Sequence, residues 1–260
     1  MRIDVITIFP KMLEAPLREG IVARAREAGI VDVRATDLRD FTEDRHRSVD
    51  DAPFGGGPGM VMKAEPFFKA VQSVLPEGKG LGTAIVLLSP RGRRFDQRAA
   101  ERYAELSHLV LLCGRYEGVD ERVAETVATE ELSLGDFVLT GGEVAALAVI
   151  EATVRLLPGA LGDALSAVAD SYADGILDFP HYTRPAEWRG HSVPDVLLSG
   201  DHGRVRQFRR QQALVATQKR RPDLLRSARL SAADESLLEG ADDQRSGKDL
   251  DLIEKVGMKP

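Results

Sequence analysis

Short apolar runs alternate with segments of helical periodicity over the first 160 residues of the chain. The apolar runs that predict strands are RIDVITIF, VDVRATDL, AIVLLS and HLVLLC, and helical spacing occurs around residues 14–28 and 96–106. Such an alternation is typical of an α/β domain with a mostly parallel sheet. The runs AIVLLS and LVLLC have no polar face, as expected of central strands that helices cover on both sides.

A further helix is predicted from Gly142 to Leu157, where Pro158 and Gly159 would end it. It is apolar nearly all round, which indicates burial against the sheet or against a second subunit. The pattern divides the chain into a domain over 1–160, a linker over 161–174 and a second, mainly helical unit over 175–230. Residues 231–260 are polar with little periodicity, so we expect a tail that is partly disordered.

The charge of the chain is distributed unevenly. The formal net charge is −6, yet residues 204–229 carry nine basic side chains and one acid. Local basic charge on an acidic protein suits a phosphate-backbone partner, although a solvated helix face would have the same composition. No apolar run approaches the roughly 18 residues of a membrane span, and the start lacks the order of a signal peptide. A cytoplasmic protein is expected.

The single cysteine, Cys113, lies inside an apolar run. One cysteine excludes an internal disulfide and a zinc site made of thiolates. We interpret Cys113 as a small core residue, since cysteine is among the most buried residue types.

Three glycine-containing loops follow predicted apolar strands. They are Ser89–Gly92, Gly114–Gly118 and the segment Leu134–Glu143, which leads into the apolar helix. Ligands of parallel α/β sheets bind beyond the carboxyl ends of the strands, where glycine allows backbone amides to approach closely. Together the loops predict a small-molecule site, whereas each alone would be an ordinary turn. Neither GxGxxG nor GxxxxGK[ST] is present.

Two further loops are rich in functional groups. The segment from Asp44 to Met60 combines charges with the run Gly55-Gly56-Gly57, and it resembles either a lid or a mobile surface loop. The segment from Asp170 to Pro185 packs carboxylates, a histidine, an arginine and two tyrosines between prolines. It is too polar for a core strand and too rich in proline for a helix, so we expect a loop at a functional site.

Four segments together resemble one known family. DRHRSVDDAPFGGGPGMVM, LLCGRYEGVDER, LSLGDFVLTGGE and DSYADGILDFPHYTRP are similar, in order and spacing, to the bacterial tRNA (guanine-N1)-methyltransferases of the SPOUT superfamily. The match runs from Met1 to about Leu225. The resemblance implies transfer of a methyl group from S-adenosylmethionine to N1 of guanosine 37 of tRNA, just 3′ of the anticodon, by a homodimer with shared active sites. It also implies that the α/β domain contains a deep trefoil knot, an exception to the usual rule for connections.

The resemblance also implies which residues hold the methyl donor. The S-adenosylmethionine site would use mainly backbone groups of the glycine loops: Ser89, Pro90, Gly114, Arg115, Tyr116, Glu117, Gly118, Leu134, Gly135, Asp136, Phe137, Val138, Leu139, Gly141 and Gly142. A Mg²⁺ requirement is typical of the family, but the sequence contains no dedicated metal cage.

Two residues are implied to be catalytic by their match to the family. Asp170 would remove the proton from N1, and Arg155 would stabilise negative charge near O6. On residue type alone, the favoured interpretation is a cap or turn residue for Asp170 and a cation at a helix C-terminus for Arg155. Asp178, Arg184, Arg209 and Arg210 are expected to bind the target base and the tRNA.

Two other functions fit parts of the sequence. A knotted methyltransferase that acts on another RNA would share the glycine loops, but it would not need the segment DSYADGILDFPHYTRP. A binding protein that keeps the fold without activity would not need Asp170 and Arg155.

Overall fold

The computed structural model describes residues 1–162 and 170–240. The chain divides into two compact units, Met1–Ala164 and Leu165–Pro260. Part of the predicted linker, residues 163–169, and residues 241–260 of the predicted tail lie outside the described residues.

The first unit is built around a parallel sheet of five strands. In chain order these are β1 (Arg2–Thr7), β2 (Asp32–Asp37), β5 (Thr83–Arg94), β6 (His108–Cys113) and β7 (Glu130–Ser133). Their order across the sheet is β2-β1-β6-β5-β7, and every neighbouring pair is parallel. The short strands β3 (Asp50–Asp51) and β4 (Val61–Met62) form a separate antiparallel pair. The predicted α/β class is confirmed.

Helices connect these strands. They are α1 (Lys11–Glu14), α2 (Gly20–Glu27), α3 (Ala64–Val74), α4 (Gln97–Ala104), α5 (Glu121–Thr126) and α6 (Glu143–Val154), with 3₁₀ turns at Pro16–Arg18 and Leu38–Phe41. The sequence predicted one helix over 14–28, and the structure replaces it with α1, a 3₁₀ turn and α2. Pro16 removes a backbone donor and Gly20 adopts a positive φ of 68°, so a continuous helix is interrupted there.

The core of this unit lies on both faces of the sheet. Along β6, Leu109, Leu111 and Cys113 pack with α2, α4 and α6 on one face. Val110 and Leu112 pack with α3 and α5 on the other face. Successive side chains of a strand point to opposite faces, so the fully apolar run is explained by helices on either side. Cys113 is completely buried, as expected.

Strand β5 is longer than the sequence pattern indicates. It continues through Ser89-Pro90-Arg91-Gly92 to Arg94, and both Leu88 and Arg93 lie opposite Leu132 of β7. Residues 89–92 therefore form a bulge in β5, between its two paired segments with β7. At Gly92 a Cβ atom would overlap the backbone of Glu131 and Leu132, so only glycine fits this crossing of two chain segments.

The second unit is mainly helical. Its elements are β8 (Glu187–Trp188), β9 (His191–Ser192), α7 (Asp195–Leu198), α8 (His202–Arg220) and α9 (Pro222–Ser227). Residues 232–240 are also helical, although the sequence pattern assigned them to a polar tail. Ile176, Ala213 and Leu214 form a small core, against which Leu237 and Leu238 pack.

Among the residues that the structure describes, none of the helices combines the length and the apolar character that crossing a bilayer requires.

Candidate functional site

A cavity of about 1430 Å³ lies in the first unit, at the carboxyl ends of β5, β6 and β7. Thirteen residues of the predicted donor site line it: Ser89, Pro90, Gly114, Arg115, Tyr116, Glu117, Gly118, Leu134, Phe137, Val138, Leu139, Gly141 and Gly142. Gly135 and Asp136 do not line the cavity. The three glycine loops, far apart in sequence, therefore meet at one edge of the sheet.

The loop after β6 has an unusual backbone. Tyr116 adopts a positive φ of 59° and Gly118 one of 133°, and the Gly118 N–H donates to the Arg115 carbonyl at 3.1 Å. A positive φ is uncommon for a bulky residue and persists where surrounding contacts impose it. Tyr116 is half exposed at the cavity.

The segment that contains Gly55, Gly56 and Gly57 is hydrogen-bonded to this loop at its C-terminal end. The N–H of Met62 donates to the Gly118 carbonyl at 2.9 Å, and that of Glu117 donates to the Met60 carbonyl at 3.1 Å. Gly55, Gly56 and Gly57 all have positive φ, with open space where a Cβ atom would be. Phe54 lines the cavity with its side chain fully exposed. A lid role for residues 44–60 stays a prediction.

The loop after β7 exposes apolar side chains. Phe137 is 55% exposed and Val138 is 84% exposed, and both line the cavity. The Phe137 N–H donates to the Gly135 carbonyl at 2.9 Å, which closes a tight turn. The Asp136 carboxylate lies 3.5 Å from the Arg94 guanidinium instead of lining the cavity. The exposed apolar side chains are available to an apolar ligand or to another chain.

Two glycines allow the loops after β6 and β7 to approach closely. The Gly142 N–H donates to the Gly114 carbonyl at 3.0 Å. A Cβ atom at Gly142 would press on the Cα of Cys113, and one at Gly141 would overlap the Arg115 guanidinium. Gly142 is therefore required by its packing on the backbone of Cys113, and Gly141 leaves room for the Arg115 side chain.

A buried polar network behind the cavity was not found from the sequence. Glu143 is fully buried and accepts hydrogen bonds from Thr7 Oγ1 at 2.6 Å and from Arg115 Nε at 3.1 Å. Burial, together with the Glu143 carboxylate, raises the pKa of the Cys113 thiol well above its usual range. The available signal was an acid at the start of an apolar helix whose only other charged residue is Glu151.

The two predicted catalytic residues belong to different units. Arg155 is the C-cap residue of α6, with a helical backbone. Asp170 is half-buried and its carbonyl accepts a hydrogen bond from the Ala173 N–H at 3.3 Å. Both residues have further interaction partners.

The loop after Asp170 is held by its own side chains. The Asp178 N–H donates to Ser171 Oγ at 3.0 Å, and Asp178 Oδ1 accepts from the Phe179 N–H at 2.7 Å. The other oxygen, Oδ2, lies 2.8 Å from Nε2 of His181. Asp178 therefore organises this loop, and its side chain is only 18% exposed.

A smaller cavity of about 370 Å³ lies within the second unit. Aromatic and basic side chains line it, namely Phe179, His181, Tyr182, Arg184 and Arg209. The Arg209 guanidinium stacks over the Phe179 ring at 4.8 Å. The structure thus groups Arg184 and Arg209, both exposed, around one concave surface.

The neighbouring Arg210 has a different environment. Its Nε donates to Asp234 Oδ1 at 2.7 Å, and its Nη1 also pairs with Asp174. The hydrogen bond with Asp234 lowers the pKa of that carboxyl well below its usual range and raises the pKa of Arg210. Arg221 is likewise paired, with Asp223 at 2.7 Å. Of the predicted substrate residues, Arg209 has its charge toward solvent and Arg210 has its charge neutralised internally.

Within 1–162 and 170–240, no group of three or more His, Cys, Asp or Glu side chains is arranged to hold a metal ion.

Comparison with known proteins identifies relatives along nearly the whole chain. Residues 1–227 match the family model described as tRNA (Guanine-1)-methyltransferase TrmD. A tRNA (guanine-N(1)-)-methyltransferase of Geobacter metallireducens is 52% identical over 238 residues, which cover 92% of this chain and 96% of that protein. The enzyme of the same name from Desulforudis audaxviator is 51% identical over 253 residues, covering 97% of this chain and all of the relative.

Proposed function

The chain belongs to the tRNA (guanine-1)-methyltransferase family, and we propose that its cavity binds S-adenosylmethionine and that Asp170 and Arg155 carry out the reaction. It is a tRNA (guanine-N1)-methyltransferase, and its target is N1 of guanosine 37, just 3′ of the anticodon. A tRNA substrate also makes the cytoplasm the proposed location.

The observation that carries the donor site is the meeting of three glycine loops in one cavity. Cavities of several hundred Å³ with a few convergent polar groups are the usual ligand sites of proteins, and about 1430 Å³ leaves room for a nucleoside-sized donor and part of a target base. Two of these loops begin directly after a strand, at Gly114 after β6 and at Leu134 after β7, and the third begins at Ser89 in the bulge of β5. At such positions backbone groups are free to face a ligand. When bound, S-adenosylmethionine supplies a methyl group already activated by its sulfonium.

The protein must then provide a nucleophilic ring nitrogen in line with that methyl group. N1 of guanine carries a proton, so a base must accept it as the bond from N1 to the methyl carbon forms and the bond from that carbon to the donor sulfur breaks, its electron pair staying on sulfur. We assign this proton transfer to the Asp170 carboxylate. We assign stabilisation of the negative charge that develops on O6 to the Arg155 guanidinium, because a cation stabilises an oxyanion in a site shielded from water.

We assign tRNA binding to the second unit. Asp178 and Arg184 are proposed to hold the target base and its backbone, and Arg209 is proposed to contact phosphate. Arg210 is proposed to act indirectly, by fixing the α8 surface through Asp234 and Asp174. A target base must leave its stack to be methylated, which costs little in an RNA loop. Further basic side chains are exposed on α8, in the same unit as Arg209: Arg204, Arg206, Lys219 and Arg220.

A homodimer is proposed from the exposed side of α6. Val144 is half exposed, Leu147, Ala148 and Ala152 are partly exposed, and the only charge in this stripe is Glu151. A helix with apolar residues on its outer face is expected to pack against another chain. The knot and the Mg²⁺ requirement that the resemblance implies also stay proposals.

The function is tested by methyl transfer from labelled S-adenosylmethionine to unmodified tRNA transcripts. One set carries guanine just 3′ of the anticodon, and the matched set carries adenine at that position. We expect label only in the first set, recovered as N1-methylguanine after digestion. Donor binding without transfer to either set would instead favour another RNA target, and absence of donor binding would refute the cavity assignment.

A further inference from the structure

A buried carboxylate lies directly behind the cavity. Glu143 is the first residue of α6, and its side chain is 1% exposed. Its Oε1 accepts from Thr7 Oγ1 at 2.6 Å, whereas its Oε2 lies 2.9 Å from Nη2 of Arg115. Thr7 ends β1 and Arg115 belongs to the loop after β6. One side chain therefore connects three segments that are distant in sequence.

The negative charge of the buried Glu143 carboxylate is compensated by its neighbours. Burial of a charge is costly unless it is paired and hydrogen-bonded, and Glu143 has an arginine, a hydroxyl and the positive end of α6 as partners. Because a buried ion pair is often no more stabilising than apolar residues of similar volume, a core that served only for stability would not need Glu143. The charged group is explained if Arg115 has to be held in one place.

Arg115 in turn connects two of the cavity loops. Its guanidinium lies 4.6 Å from the centre of the Phe9 ring and occupies the space that a Cβ atom of Gly141 would need. The backbones of Arg115 and Gly141 form an isolated antiparallel bridge. The next residue in the chain is Tyr116, whose positive φ of 59° requires support from its surroundings.

We propose that Glu143 is a positioning residue for the methyl donor. Through Arg115 it fixes the loop Gly114–Gly118 against the loop that ends in Gly141 and Gly142, and thereby holds the cavity in the shape that receives S-adenosylmethionine. Thr7 orients the carboxylate for this purpose. The proposal rests on the proposed function, namely that this cavity is the donor site.

The test compares E143Q with a matched control, E130Q. Glu130 also accepts from an arginine and a hydroxyl, Arg102 at 3.1 Å and Tyr103 at 2.9 Å, but it does not line the cavity. Affinity for S-adenosylmethionine is measured by calorimetry without tRNA, and KM and kcat are measured with tRNA. We expect E143Q to bind the donor about tenfold more weakly, as loss of a buried charged partner implies. The KM for the donor should rise with it, while kcat at saturating donor changes little. E130Q should retain the wild-type affinity.

Thr7 provides a second pair of variants in case E143Q does not fold. T7V removes the hydroxyl and T7S keeps it, so donor affinity should fall in T7V and recover in T7S. Wild-type donor affinity in folded E143Q or in T7V would overturn the proposal. An equal loss in E130Q would show a general effect of stability, which would overturn it as well. If the wild-type protein itself does not bind S-adenosylmethionine, the proposed function fails instead.

Discussion

The cavity edge of the first unit and the basic surface of the second unit are built in opposite ways. At the cavity edge, positions are set by backbone hydrogen bonds, by glycines that no other residue could replace and by a buried ion pair. On the second unit, Arg184 and Arg209 are exposed, and the small core contains Ile176, Ala213 and Leu214. The first region is therefore fixed by many specific contacts, whereas the second offers exposed side chains to a partner.

This difference fits the two partners that are proposed. A small donor has to be held with its methyl group in line with the acceptor, and small displacements of the groups that hold it are costly. A tRNA backbone is a repeated charge, which many exposed cations can share and which salt weakens. Substitutions in the first region should therefore act singly and strongly, and those in the second region in small, additive steps.

The largest expected effect concerns Asp170. It belongs to the second unit, but it is proposed to remove the proton from N1 of the target guanine. D170A should lower kcat by about 10²- to 10⁴-fold, the usual contribution of a general base, while affinity for S-adenosylmethionine stays near that of the wild type. Turnover is measured under saturating donor and tRNA. D195N, which alters an exposed carboxylate of the same unit, serves as the control. Wild-type turnover of D170A would remove Asp170 from the mechanism.

The next effect tests the rigidity of the first unit. G92A should destabilise the protein by about 1–3 kcal/mol, the usual cost of overpacking, since the new methyl group would overlap the backbone of Leu132. Thermal or urea unfolding measures it. G80A is the matched control, because a Cβ atom there meets nothing within 4 Å. Equal stability of G92A and G80A would mean that β5 and β7 can separate at this crossing.

How well the sequence predicts these regions depends on how far apart in the chain the interacting residues lie. Glycine loops after apolar strands indicated the cavity, because strand ends of a parallel sheet share an edge. The bulge at Ser89–Gly92 was missed because it is visible only in the pairing of β5 with β7, where Leu88 and Arg93 both lie opposite Leu132. Glu143 was missed for the same reason, since its partner Thr7 is 136 residues away. The helical residues 232–240 were predicted as tail because the pairing of Asp234 with Arg210 is not visible as local periodicity.

A smaller effect is expected from the exposed cations of the second unit. The double variant R209A/R220A should weaken tRNA binding and reduce the slope of log K against log salt by about 0.7 to 0.9 for each phosphate that is no longer neutralised. Donor affinity should not change. R210A serves as the contrast, because the charge of Arg210 is already paired with Asp234. R210A should lower the melting temperature of the protein and leave the salt slope of tRNA binding nearly unchanged. Equal salt slopes for both variants would contradict the separation of the two arginines.

The smallest effect is a pH dependence confined to the second unit. The Arg210 guanidinium lowers the pKa of Asp234 in the folded state, so the unfolded chain, with an ordinary pKa of about 3.9, binds the proton more readily. The stability that this pair contributes is therefore fully present above about pH 4 and is lost as the pH falls toward the folded pKa. In D234N this part of the acid dependence should disappear, while the part that comes from the first unit remains. Unfolding measured between pH 3 and 6 for the wild type and D234N tests this, and parallel curves would show that the ion pair does not distinguish the folded from the unfolded state.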